Sequence, residues 1–186
     1  MKAKTVLSSI FAGLALGVQA QAKTINADDR ILVAYFSHSG NTREIAQQIS
    51  QASGGALFEI VPANAYPEDY QDLTAVTKKE IQDGIKPELQ ANVEDIGKYD
   101  VIFIGSPCWW GTIAAPVSSF LAANNLSGKK VIPFMTHGGS GLGYSESDIK
   151  KLVPDAELVS GKAFWGSRVK NAQDDVNNWV KELQND

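Results

Sequence analysis

Apolar residues along this chain fall into short unbroken runs, separated by stretches in which they recur every three or four positions. Ile31-Leu32-Val33-Ala34-Tyr35-Phe36, Ala56-Leu57-Phe58-Glu59-Ile60-Val61, Val101-Ile102-Phe103-Ile104-Gly105 and Val131-Ile132-Pro133-Phe134-Met135 are of the first kind. Such runs suit strands covered on both faces, as in a parallel sheet. Between them Thr42 opens a helical pattern, with Ile45, Ala46, Ile49 and Ala52 on one face and Gly54-Gly55 at its end. Leu73, Val76 and Ile81 predict an amphipathic helix from about Tyr70 to Gln82. Pro116 suits a first helical position, followed by the apolar face of Val117, Phe120 and Leu121. Ser145-x-x-Asp148 reads as a capping box opening a short helix with Ile149, Leu152 and Val153. Residues 156–165 hold a last strand, and Val176, Trp179, Val180 and Leu183 mark the final helix.

Strand and helix alternating over five units predict an α/β fold: a doubly wound, five-stranded parallel sheet with helices on both faces. In such folds ligands sit outside the carboxyl ends of the strands, where the strand order reverses. The loops after the first, third and fourth strands are therefore the places to look for chemistry.

The chain's start belongs to a different pattern. Lys2 and Lys4 precede the apolar run Val6 to Val18, and Ala20-Gln21-Ala22 supplies a small-x-small cleavage pattern. The run is shorter than the roughly 20 residues a spanning helix needs. Residues 1–22 are therefore read as a signal peptide and 23–186 as one domain, exported to the periplasm or secreted, with no membrane span after processing. The formal net charge is −4, and loss of the two lysines makes it more negative, which argues against a nucleic-acid partner. Cys108 is the only cysteine and His38 and His137 the only histidines. No internal disulfide can form, and no metal site is expected.

The first strand-end loop, Ser37-His38-Ser39-Gly40-Asn41-Thr42, leads straight into a helix N-terminus, where free N–H groups favour an anion. Its hydroxyls and Gly40 suit one phosphate monoester held mainly by neutral donors. It has neither the G-x-x-x-x-G-K nor the G-x-G-x-x-G pattern of other nucleotide sites. The second, Gly105 to Thr112, sets Trp109 and Trp110 beside Gly111, and aromatic rings there can wall a flat heterocycle. One of the two tryptophans is expected to pack rather than meet the ligand. The third, Thr136-His137-Gly138-Gly139-Ser140-Gly141, lets backbone amides approach a planar polar edge. A serine hydrolase is excluded because Leu142 stands where the elbow's last glycine belongs, and a low-molecular-weight phosphatase because no arginine follows Cys108 as far as Phe120.

Taken together, these loops resemble those of the flavodoxin family. Its phosphate signature, S/T-x-S/T-G-x-T, is matched by Ser37, Ser39, Gly40 and Thr42, and the resemblance runs from Ile31 to the last helix, including Tyr66-Pro67-x-Asp69-Tyr70. The resemblance implies FMN as cofactor, strand order 2-1-3-4-5, and Pro133 accommodated inside the sheet by a bulge or an unpaired position. It implies that Ser37, His38, Ser39, Gly40, Asn41 and Thr42 hold the phosphate. Pro107, Cys108, Trp109, Trp110 and Gly111 would line the isoalloxazine, with Thr136, His137, Gly138, Gly139, Ser140 and Gly141 at its pyrimidine and N5 side. Tyr66, Tyr70 or Tyr144 would cover the outer face. The implied function is electron transfer to a redox partner protein. The alternatives are a small reductase passing hydride from NAD(P)H to a quinone, for which His137 would steady charge on the substrate, and a non-catalytic FMN carrier.

Overall fold

A computed structural model describes residues 24–185. The expected signal peptide lies outside the described residues. The elements in order are β1 (Ile31–Tyr35), α1 (Asn41–Ser53), β2 (Ala56–Glu59), α2 (Tyr70–Asp83), β3 (Val101–Trp109), β4 (Thr112–Ile113), α3 (Ala115–Ala123), β5 (Lys130–His137), α4 (Ser145–Leu152), β6 (Glu157–Leu158), β7 (Lys162–Trp165) and α5 (Gln173–Asn185).

The main sheet is parallel and runs β2-β1-β3-β5, with β6 and then β7 alongside β5. Its fifth strand is thus split in two, and β4 is a short antiparallel partner of β3 outside the main order. Discounting β4 and joining β6 to β7 gives 2-1-3-4-5. Alternation within the strands builds two cores. Ile31, Val33 and Tyr35 face α1 and α5, meeting Ile45, Ile49, Val176, Trp179 and Val180. Leu32 and Ala34 face the other layer, with Val117, Phe120 and Leu121 of α3 and Ile149 of α4.

The split fifth strand accounts for Pro133. The carbonyls of Lys129 and Val131 accept from Glu157 and Val159, so the odd-numbered residues of β5 point at the fifth strand. The nitrogen of Pro133 belongs to that series and falls where β6 has ended and β7 has not begun. No ladder bond is lost by its missing N–H. Gly161 passes so close there that a Cβ on it would lie 2.5 Å from the Pro133 carbonyl oxygen.

Two local expectations change. β3 does not stop at Gly105 but continues through Pro107, Cys108 and Trp109, paired with β5 as far as Pro107↔Thr136. The Gly105 carbonyl accepts from Phe36 on the β1 side, so the Pro107 nitrogen points that way too, beyond the last β1 pair at Tyr35↔Gly105. The second correction is the capping box. The residue preceding α4 is Tyr144, not Ser145, and the buried Ser145 hydroxyl has no partner. Asp148 instead accepts from the Thr112 hydroxyl at 2.6 Å and from Lys151 at 2.8 Å, tying α4 to β4. α2 does carry a side-chain cap: the Asp69 carboxylate accepts from the Gln71 and Asp72 amides.

Candidate cofactor site

The carboxyl ends of β1, β3, β5 and β7 open into one cleft of about 450 Å³. Ser39 and Asn41 enter it from the first loop, Pro107, Cys108 and Trp109 from β3, Thr136, His137 and Gly138 from β5, and Trp165, Gly166 and Ser167 from β7 and the short helix after it.

The first loop is shaped as an anion seat. Gly40 takes φ 89, a left-handed conformation open to glycine, and turns the chain abruptly into α1. No side chain caps that helix, so its first-turn N–H groups are left for a ligand. The buried Ser37 hydroxyl has no protein partner. Buried polar groups are ordinarily hydrogen-bonded, so an orphaned hydroxyl beside an uncapped helix N-terminus fits a phosphate group. Thr42 points inward instead, and its hydroxyl lies 2.8 Å from that of Thr136, locking the first loop to β5.

At the second loop the chain makes a hairpin. Trp110 (φ 53) and Gly111 (φ 80) form a two-residue turn, both left-handed as a type I′ turn requires, between Cys108↔Ile113 and Trp109↔Thr112. The hairpin separates the two tryptophans. Trp109 stays at the cleft, its ring 5.5 Å from Phe36, 5.3 Å from Tyr66 and 5.9 Å from His38, each near edge-on. Trp110 turns to α2, where its indole N–H donates to the Thr77 hydroxyl at 3.1 Å and Lys78 lies over its ring.

The third loop contributes its start rather than its length. His137 is buried, its Nδ1 accepts from the Gly139 amide at 3.0 Å, and its ring lies 4.7 Å from that of Trp165. Burial pushes the imidazole below its ordinary pKa, and the accepting Nδ1 places the ring proton on Nε2. The cleft therefore meets a neutral histidine.

A model of the family described as flavodoxin matches residues 30–183 of this chain. The chain belongs to the flavodoxin family. A chain from Bacteroides uniformis assigned as a flavoprotein is 30% identical, with a TM-score of 0.75 and coverage of 82% of this chain and 98% of that one. A flavoprotein in complex with FMN from Lactobacillus acidophilus is 26% identical, with a TM-score of 0.65 and coverage of 77% and 97%. Among relatives, an NAD(P)H dehydrogenase (quinone) from Sinorhizobium fredii is 29% identical over 136 residues, which span 67% of this chain and 64% of that one.

Within this flavodoxin-family cleft the expected residues are unevenly gathered. Ser39, Asn41, Pro107, Cys108, Trp109, Thr136, His137 and Gly138 line it, and Ser37, Gly40 and Thr42 build the loop beneath. His38 packs edge-on near Tyr66 and Trp109. Trp110, Gly111, Gly139, Ser140 and Gly141 do not line it. Neither does any of the three tyrosines. Tyr66 donates to the Glu80 carboxylate at 2.7 Å, which together with burial pushes its phenol far up, while Tyr70 and Tyr144 are exposed. Trp165, Gly166 and Ser167 were not anticipated. Their signal was present in the sequence as an aromatic-glycine-hydroxyl run at the end of the last strand, in the manner of the other loops. Gly166 approaches Asn41 so closely that a Cβ would sit 2.9 Å from its side-chain nitrogen, which joins the β7 end to the phosphate loop.

Proposed function

We propose that this protein binds FMN in the strand-end cleft and carries electrons through it as an exported flavodoxin. The single observation that carries the reading is the Ser37 hydroxyl, buried without a partner in the loop that leads into the uncapped α1 and that sends Ser39 and Asn41 into a cleft walled by an aromatic ring. Ser37, Ser39 and the first-turn amides of α1 hold the phosphate, and Thr42 fixes the loop through Thr136. Trp109, braced by Phe36 and Tyr66, supplies a rigid flat wall. With Nδ1 accepting from the Gly139 amide, a neutral His137 would offer its Nε2 proton to the cofactor without adding positive charge. FMN bound there supplies a ring system that takes up and releases electrons, singly or as hydride.

A second reading, a small reductase that takes hydride from NAD(P)H, is favoured by the cleft's lack of a covering tyrosine and by the name of the Sinorhizobium relative. Export rests on the basic, apolar and Ala20-Gln21-Ala22 pattern of the first residues. Among the described residues no helix is long and apolar enough to cross a membrane. Stopped-flow mixing of the FMN-loaded protein with NADPH separates the readings. An electron carrier keeps its flavin absorbance on mixing and loses it only to dithionite or a partner reductase; prompt bleaching by NADPH establishes the reductase instead.

A further inference from the structure

A second pocket, of about 250 Å³, lies between α2 and the β3–β4 hairpin. Tyr70, Leu73, Thr74, Thr77 and Trp110 line it, and Cys108 and Trp109 complete it. Those last two residues also line the cofactor cleft, so the two spaces adjoin at the end of β3. We propose that this pocket binds a flat, uncharged aromatic ring of the quinone class, held beside the cofactor by the Cys108–Trp109 wall.

The lining sets the ligand's chemistry. Among the described residues it holds aromatic, aliphatic, thiol and hydroxyl groups and no charged side chain. The neighbouring cavity along α2, α3 and α4 differs, being lined by Glu80, Lys86, Asp148 and Lys151. Burying an unpaired charge in the first pocket would be costly, whereas a neutral ring carrying carbonyl oxygens is not so penalised. Two of the lining rings are also partly exposed: Tyr70 by 76%, and Trp110 by 52% with Lys78 over its ring. Rings so placed around a concavity offer stacking surface to a flat ligand.

Trp110 is held as part of this pocket against a local cost. A bulky residue at φ 53 is sterically unfavourable, yet this one occupies the first turn position of the hairpin. Its indole N–H is fixed by the Thr77 oxygen, and the Thr77 hydroxyl itself donates to the Leu73 carbonyl at 2.8 Å. Both hydrogen-bonding roles of Thr77 are thereby used, which orients the indole from inside α2. The strained turn, the helix and the indole thus act together to keep a wall in place.

The pocket's role as an acceptor site rests on the second reading above, in which the FMN-loaded protein takes hydride from NAD(P)H; its affinity for the ring does not. In turnover, NAD(P)H, one proton and one quinone give NAD(P)+ and one hydroquinone, so electrons and protons balance with no further reactant.

The test titrates the FMN-loaded protein with menadione while following tryptophan fluorescence and flavin absorbance. The pocket predicts saturable quenching at one menadione per chain with FMN retained. Thr74→Arg, at a half-buried position on the pocket-facing side of α2, fills the pocket and raises the menadione Kd at least tenfold while the FMN Kd stays within twofold. Tyr70→Ala, which removes an exposed ring, raises it at least threefold. Release of FMN by menadione, an absence of saturation, or an unchanged Kd in both variants overturns the proposal. Failure of the FMN reading looks different: no flavin absorbance is acquired, and menadione still quenches the apo-protein.

Discussion

Ser37 carries a buried hydroxyl for which the folded chain provides no partner. A hydrogen bond to a charged group is worth about 1.5–3 kcal/mol, or roughly ten- to a hundredfold in affinity. Ser37→Ala is expected to weaken FMN binding by that factor in a fluorescence titration, with the apo-protein's melting temperature almost unchanged. Loss of stability without loss of affinity would assign the hydroxyl a purely structural role. His137 makes a separate prediction. Its folded-state pKa lies below the ordinary value of 6.5, so in the window beneath pH 6.5 the unfolded chain binds more protons than the folded one. Stability is therefore full above 6.5 and falls as the pH drops from there through the folded pKa. Urea midpoints measured across that window should decline in the parent and decline less in His137→Asn; equal slopes would mean that this imidazole does not set the pH dependence. The motif residues Ser37 to Thr42 were legible because their chemistry is local. That one of the two tryptophans packs away from the ligand was legible too; that it is Trp110 was not, since this depends on Thr77, thirty-three positions away.

Two strands depart from the sequence pattern, and both involve proline. Gly105-Ser106-Pro107 reads as the end of a strand because glycine and proline punctuate local structure. The strand continues because the missing donor of Pro107 falls beyond the last residue of β1. The unpaired position expected for Pro133 is realised by a fifth strand divided into β6 and β7, with the gap where Pro133 offers no N–H. Such accommodations depend on which side of a strand each nitrogen faces, a property fixed by partners far away in sequence. The unbroken runs of β1 and β5 and the four-residue recurrences of α1 and α5 needed no such knowledge, and they were read correctly. Gly161 carries the prediction at this scale. A methyl group there would lie 2.5 Å from the Pro133 carbonyl oxygen and 2.9 Å from its Cβ. Gly161→Ala should cost about 1–3 kcal/mol in urea unfolding, as other overpacked sites do. A cost under about 0.5 kcal/mol, the usual range for surface substitutions, would mean that the gap between β6 and β7 yields freely.

At the scale of the whole molecule, the order of the sheet places four strand ends on one rim, and the cleft follows from that order. Three of those ends were found from their loops, while the fourth, Trp165 to Ser167, follows a strand whose end at residue 165 was read but which lies outside the first, third and fourth strands, where the chemistry was sought. The central claim is that this rim seats FMN by its phosphate, at the N-terminus of α1. It is tested most directly by titrating the apo-protein with FMN and, in parallel, with riboflavin, which has the same ring and no phosphate. The account predicts one FMN per chain with strong quenching of flavin fluorescence, and riboflavin bound at least tenfold more weakly. Equal affinity for the two flavins, or no quenching by FMN, would contradict it.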